Sequence, residues 1–236
     1  MQIKIIAVGS SKWDRFIRRW GISLLIDGDI LFDTFGDPGV FLNNARKMNV
    51  DFSKIRHVVL SHDDWDHISG LWYLLRDRKD ITVYICPAFK HDIKDRISSF
   101  GVKVVESGDG IFIKEGVYST GQLCAEFEED KIYEQSLVIK SEKGLVIITG
   151  CAHPGIVNIV DSIRQRFNEN IYLIMGGLHL KDKAITEIKE VMSKLRSCGV
   201  EKIAPLHCMG KVAERLFKAE YKDNCILIKP GQAIEF

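Results

Sequence analysis

Five of the seven histidines in this chain sit just past the C-terminal end of an apolar run. His62 and His67 follow Val58-Val59-Leu60, His153 follows Ile147-Ile148-Thr149, His179 follows Leu173-Ile174-Met175 and His207 follows Ala204-Pro205-Leu206. Histidines scattered over a surface would show no such phase. Short apolar runs read as buried strands, and in open α/β sheets ligands bind in the crevice beyond the carboxyl ends of the strands. The pattern favours a fold that gathers four distant strand ends at one site.

The rest of the chain supplies the elements for such a fold. Strands are expected over residues 3–8, 22–26, 30–32 and 55–60, with Asp27-Gly28-Asp29 as a hairpin turn, because Asp-Gly provides the positive φ that tight hairpins need. Phe41, Leu42, Ala45 and Met48 recur at helical spacing after Pro38, and a second helix is expected over 68–76. A strand over 81–85, a helix over 89–100 and short strands near 102, 111 and 117 follow. The acidic run 126–134 reads as a solvated loop. Beyond residue 135, strands (137–139, 145–149, 171–175, 202–206, 226–228) alternate with helices (155–167, 183–197, 211–219), an α/β rhythm. No Pro/Gly/Ser linker or repeat divides the chain, so residues 1–236 read as one domain.

The densest polar segment is Ser61-His62-Asp63-Asp64-Trp65-Asp66-His67. His62, Asp64, Asp66 and His67 are imidazole and carboxylate donors, the ligand type for zinc, manganese or iron, and they exceed what one tetrahedral ion with an open position needs. A two-metal site follows. The plainer reading is a polar loop whose Asp66 caps the next helix. Glycines border the other histidines, in Gly150-Cys151-Ala152-His153-Pro154-Gly155, Gly176-Gly177-Leu178-His179 and His207-Cys208-Met209-Gly210, where the backbone can turn sharply toward a ligand. The six cysteines form no CxxC pair and no dense framework, so they read as reduced thiols, with Cys86, Cys198 and Cys225 as core filling. Cys151 and Cys208 stand apart because each neighbours a histidine. His57 and His91 read as structural, and Trp65 as either a pocket wall or a core residue.

These motifs resemble a known family. Residues 61–70, Ser-His-Asp-Asp-Trp-Asp-His-Ile-Ser-Gly, are similar to the HxHxDH motif of the metallo-β-lactamase fold, and Asp33 in Leu31-Phe32-Asp33-Thr34 matches the aspartate that precedes it. The 149–156, 176–180 and His207-Cys208 segments resemble, more narrowly, the branch named for dihydropterin-ribofuranosylaminobenzene phosphate synthase. The resemblance runs from about residue 22 to residue 210. It implies an α/β (α+β) fold of the αββα four-layer sandwich type, with two divalent metal ions at the sheet edge, zinc first and manganese or iron as alternatives. It assigns His62, Asp64 and His153 to the first metal and Asp66 and His67 to the second, with His207 at the final ligand histidine. Asp33 would hold a ligand histidine. Cys151 stands where many relatives carry a bridging aspartate, as either a thiolate bridge or, the reading favoured here, a packing residue. Asp64 replaces a histidine of the family pattern, which favours harder ions and leaves a one-metal site open, and Ser69 replaces a glycine.

The activity implied is a metal-dependent hydrolase on a small substrate, phosphate-bearing or an ester or lactone, with Asp66 orienting the attacking hydroxide and His179 contacting substrate. The alternative is a mononuclear metal-binding or ligand-sensing protein. A diiron oxidoreductase ranks third, since the chain has no room for a flavin domain. Lys+Arg 33 against Asp+Glu 32 gives a net charge of +1, a poor field for nucleic acid. No stretch approaches the length of a membrane span and no apolar leader region opens the chain, so a cytoplasmic location with neither membrane nor nucleic acid as partner is expected. The sequence leaves the oligomeric state open.

Overall fold

The computed structural model describes residues 1–127 and 130–236. The chain forms two compact units, the first of residues 1–108 and 228–236, the second of residues 109–227.

The first unit is built on a seven-stranded sheet. In spatial order its strands are Ala233–Glu235, Gln2–Gly9, Gly21–Ile26, Ile30–Phe32, His57–Val59, Thr82–Ile85 and Lys103–Glu106. The hairpin between Gly21–Ile26 and Ile30–Phe32 turns where expected, with Asp27 at φ 48° and Gly28 at φ 81°. From Ile30–Phe32 onward the pairing is parallel, so each return needs a crossover. Helix Pro38–Lys47 supplies the first: Pro38 presets its opening turn and the Asp37 carboxylate accepts from Val40 N at 3.0 Å. Phe41 and Ala45 are its buried residues. The register pairs Phe32 with Val59, so the segments leaving these strands, Asp33-Thr34 and residues 60–67, emerge side by side.

The second unit carries a six-stranded sheet in the order Lys202–Pro205, Ile171–Gly176, Gly144–Thr149, Leu137–Ser141, Val117–Ser119 and Phe112–Lys114. The first three are parallel, joined by helices Ile156–Arg166 and Ile185–Ser197, and helix Lys211–Tyr221 follows. Ile156, Ile159, Val160, Ile163, Ile188, Leu195, Ala213 and Phe217 on these helices pack with Leu145, Ile147, Ile174 and Ile203 of the strands in one core. Thr149 pairs with Gly176, and Gly176 with Pro205, so three histidine-bearing loops leave adjacent strands at one end.

Several local expectations are corrected. The single helix over 68–76 is two short ones, Trp65–Ile68 and Leu71–Leu75, because the Gly70 and Leu71 amides donate out of the helix, to Phe35 O and Thr34 Oγ1, and His67 O accepts from Thr34 instead. Asp66 is not the cap: Asp64 holds that position, without a side-chain bond, and Asp66 lies in the first turn. The acidic run is no loop, since Leu123–Phe127 pairs antiparallel with Asp130–Glu134; Glu128 and Glu129 of that run lie outside the described residues. Residues 226–228 form no strand. An isolated bridge joins Cys225 to Ile203, and Ala233–Glu235 pairs instead with Gln2–Gly9. Cys86 and Cys225 are buried as expected, whereas Cys198 is only half-buried and lies 3.5 Å from an Arg164 nitrogen.

Candidate metal centre

In the first unit the site begins with Asp33. It is fully buried and adopts φ 53°, a left-handed conformation that turns the chain at the strand end. One carboxylate oxygen accepts from Ser61 N at 2.7 Å. The other accepts from Ser61 Oγ at 2.7 Å and faces His67 Nδ1 at 2.6 Å. Thr34 holds the far end of the motif, accepting from Leu71 N and donating through both its amide and its hydroxyl to His67 O. Gly21 admits the close passage of the motif, since a Cβ there would stand 1.9 Å from Asp66 O.

These bonds decide how the imidazoles face. The Ser61 hydroxyl gives its one proton to Asp33, so His62 Nδ1, 2.9 Å from Ser61 Oγ, is the donor in that pair. His67 Nδ1 likewise donates to Asp33. In each ring Nε2 then points away from the tether, the arrangement by which a carboxylate or hydroxyl orients a metal-binding histidine. The two rings lie 4.0 Å apart between centroids. His62 Nε2 faces an Asp64 oxygen at 3.5 Å and His67 Nε2 faces an Asp66 oxygen at 3.2 Å. Burial opposes a charge on His67, but the carboxylates of Asp66 and Asp33 outweigh it and raise its pKa well above the ordinary value. The bond to His62, working against burial, keeps the Asp64 carboxyl below the usual range.

The second unit repeats the device with different residues. Glu134 is buried, and one of its oxygens accepts from Cys151 N and Ala152 N, each at 2.9 Å. The other accepts from His153 N and faces His153 Nδ1, again at 2.9 Å, so this ring too presents Nε2. The His153 and His179 rings approach to 4.6 Å. Ala152 (φ 61°), His179 (φ 51°) and His207 (φ 52°) are all left-handed, as Asp33 is. Such conformations are strained for residues bearing a Cβ and cluster where a site over-determines the backbone. Here parallel strands fix both ends of each loop. Gly176 and Gly177 let the loops interlock: Thr149 Oγ1 donates to Gly177 O at 2.7 Å, and Gly177 N to Gly150 O at 3.2 Å. His207 is fully buried and opens the turn His207–Met209.

Each unit therefore gathers its own share of the expected residues. Asp33, His62, Asp64, Asp66 and His67 meet in the first, and Cys151, His153 and His179 in the second, where His207 emerges from the adjacent strand end. Asp64 differs from its companions, with 47% of its side chain exposed against 1% for His62. Two residues were not singled out from sequence. Ser61 entered only as the first residue of the polar segment, and Glu134 belonged to a run read as solvated, although it alone among its acids directly precedes the apolar strand Leu137–Ser141. Cys208 was set apart by its neighbour His207, without a role. Trp65 lies against Gly36 and under the Arg18 guanidinium, 4.6 Å from its ring, and His57 bonds Tyr84 Oη at 3.0 Å, which fits its structural reading.

A sequence-family model described as the β-lactamase superfamily domain matches residues 29–110. The chain is 29% identical to the 7,8-dihydropterin-6-methyl-4-(β-D-ribofuranosyl)-aminobenzene-5'-phosphate synthase of Methanocaldococcus jannaschii, over 94% of this chain and 91% of that protein. Its structure is similar to that of Tm1679, a metal-dependent hydrolase of the β-lactamase superfamily, with a TM-score of 0.81 and 27% identity over 100% of this chain and 99% of that one. It also shares its fold with the short form of human tRNase Z, at a TM-score of 0.64 and 14% identity over 100% and 99% of the two chains.

Proposed function

Because the chain belongs to the metallo-β-lactamase superfamily and has its mixed α/β fold, we propose that it is a metal-dependent hydrolase of small substrates. The observation that supports this reading is the tethering of Nδ1 in His62, His67 and His153 by Ser61, Asp33 and Glu134, which turns Nε2 of each ring away from its tether, where this reading places the ligand atoms. Residues 1–236 act as one catalytic domain in this proposal. The second unit is an insertion, since the chain returns at Ile228 to the unit it left after Gly108.

The donor chemistry fits divalent ions. The proposed ligands are His62, Asp64, Asp66 and His67 of the first unit and His153 and His207 of the second, for zinc first, with manganese or iron as alternatives favoured by the carboxylates. When bound, such ions acidify water and polarise a phosphoryl or carbonyl oxygen. The protein's own groups do the remainder. Asp66 accepts a proton from the attacking water and orients it, His179 donates to a substrate oxygen, and Asp33 and Glu134 keep the ligand rings from rotating. The Cys151 amide donates to Glu134, which fixes the residue beside His153.

The archaeal relative's name contains a 5'-phosphate, which supports a phosphate-bearing substrate, with an ester or lactone as the alternative. It also names a synthase, so hydrolysis here rests on the ligand set. The argument against a nucleic-acid substrate is the net charge of +1. No helix among the described residues is long and apolar enough to cross a membrane; scattered free thiols favour the cytoplasm. The exposure of Asp64 favours a second reading, one metal in a binding or sensing protein.

Metal per chain, measured by inductively coupled plasma mass spectrometry on protein purified without chelator, tests the proposal together with turnover of phosphoesters and lactones. Two equivalents and turnover are expected, with His67→Ala losing one equivalent and at least 100-fold in rate, about 3 kcal/mol. One equivalent without turnover would shift the assignment to the sensing reading. Turnover unchanged in His67→Ala would overturn it.

A further inference from the structure

We propose that Cys151, His179 and Cys208 form a binding site for a thiophilic d10 ion, of the zinc and cadmium class, whose donor set differs from the carboxylate-rich motif at 61–67. One donor atom from each of the three residues lies within 4.8 Å of the others, entirely inside the second unit. Around a tetrahedral ion with metal–sulfur bonds of about 2.3 Å, two thiolates stand about 3.8 Å apart, so closing the site needs movements of roughly 1 Å.

The sulfurs are held rather than merely close. Cys208 Sγ accepts from His179 N at 3.3 Å and lies 3.5 Å from Cys151 O. A Cβ at Gly177 would stand 2.6 Å from that sulfur and 3.1 Å from Cys151 Cα, so only glycine leaves room for the pair. Lys181 N donates to Cys208 O at 3.0 Å and Leu206 N to Gly176 O at 2.8 Å, which ties the His179 loop and the Cys208 turn together. Both thiols are buried. Two sulfurs and an imidazole select soft ions over manganese or magnesium, whereas the oxygen-rich motif of the first unit favours harder ones. On binding, each thiol releases a proton to solvent, the two thiolates balance the dication, and a fourth position stays open.

A consequence rests on the hydrolase reading: an ion held here takes the His179 imidazole away from substrate, so filling the site inhibits. The site itself is tested without activity. The holoprotein, with thiols reduced, is titrated with Cd2+ while the ultraviolet sulfur-to-cadmium charge-transfer absorbance is followed. One equivalent carrying a two-thiolate band is expected. Cys208→Ser, close to isosteric, should cut the band by about half, as should Cys151→Ser, whereas Cys124→Ser and Cys198→Ser should leave it intact; circular dichroism confirms folding. No band, or a band that Cys208→Ser leaves unchanged, overturns the proposal. So does a band lost in Cys151→Ser alone, which would place that thiol in a different centre. Inhibition absent while the band behaves as expected would refute only the role of His179.

Discussion

The two units solve one problem with different materials. In the first, four candidate ligands fall within six consecutive residues, and a single buried carboxylate, Asp33, fixes one of them directly and another through Ser61. In the second, candidate residues come from loops at 151–153, 179 and 207–208, and the buried carboxylate, Glu134, spends three of its four bonds on backbone amides. The first clamp orients side chains on a turn the chain makes locally. The second shapes the loop itself, because nothing in the sequence of residues 150–155 would hold Ala152 in a left-handed conformation unaided. Orientation and folding are thus separated in one unit and merged in the other.

Replacing each clamp by its amide should expose that difference. Glu134→Gln has the larger expected effect. An amide nitrogen would replace one of the acceptors facing four donors, leaving buried N–H groups unpaired at about 1–3 kcal/mol each. A loss of roughly 3–5 kcal/mol in denaturant unfolding is expected, with metal bound by His153 lost as a by-product. Asp33→Asn should reverse the balance. Its backbone is braced by Thr34 and the strand pairing, so the expected result is a fall of about 10–100-fold in metal affinity, read by competition with a chelator, with a smaller loss of stability. Equal stability losses in the two variants would erase the distinction between the clamps.

The same contrast explains what the sequence disclosed. Most strands of both sheets were legible because apolar runs of three to six residues lay between Gly, Asp and Pro signals, and the motif at 61–67 was legible because its donors are contiguous. Glu134 was not legible. Its role depends on strand Asp130–Glu134 placing one acid of a charged run beneath a loop seventeen residues later, and periodicity carries no information on that. The Cys151 and Cys208 pairing was hidden for a similar reason, since the parallel register of Thr149, Gly176 and Pro205 is what makes three loops neighbours. The C-terminal strand was missed because Ala233-Ile234-Glu235 is too short to show alternation, and pairing with Gln2–Gly9 is what makes it a strand.

The smallest expected effect lies away from either clamp, in the core of the second unit. Tyr221 is buried, its hydroxyl has no hydrogen-bond partner among the described residues, and the Arg196 guanidinium sits 3.8 Å above its ring. Burial pushes its pKa up to about 12 from 10.0, against the pull of Arg196. The neutral phenol is the form the fold favours, so its contribution to stability is complete below the unfolded value and is lost as pH rises through about 12. Tyr221→Phe keeps the ring stacked on Phe217 and Arg196 and removes the ionisation. Thermal unfolding of the variant should match the parent at pH 7, where a hydroxyl without a partner contributes little, and should decline less steeply between pH 10 and 12. A parallel decline in the two proteins would mean that other groups, and not this phenol, set the alkaline limit of the second unit, which would leave its loops rather than its core as the part most sensitive to charge.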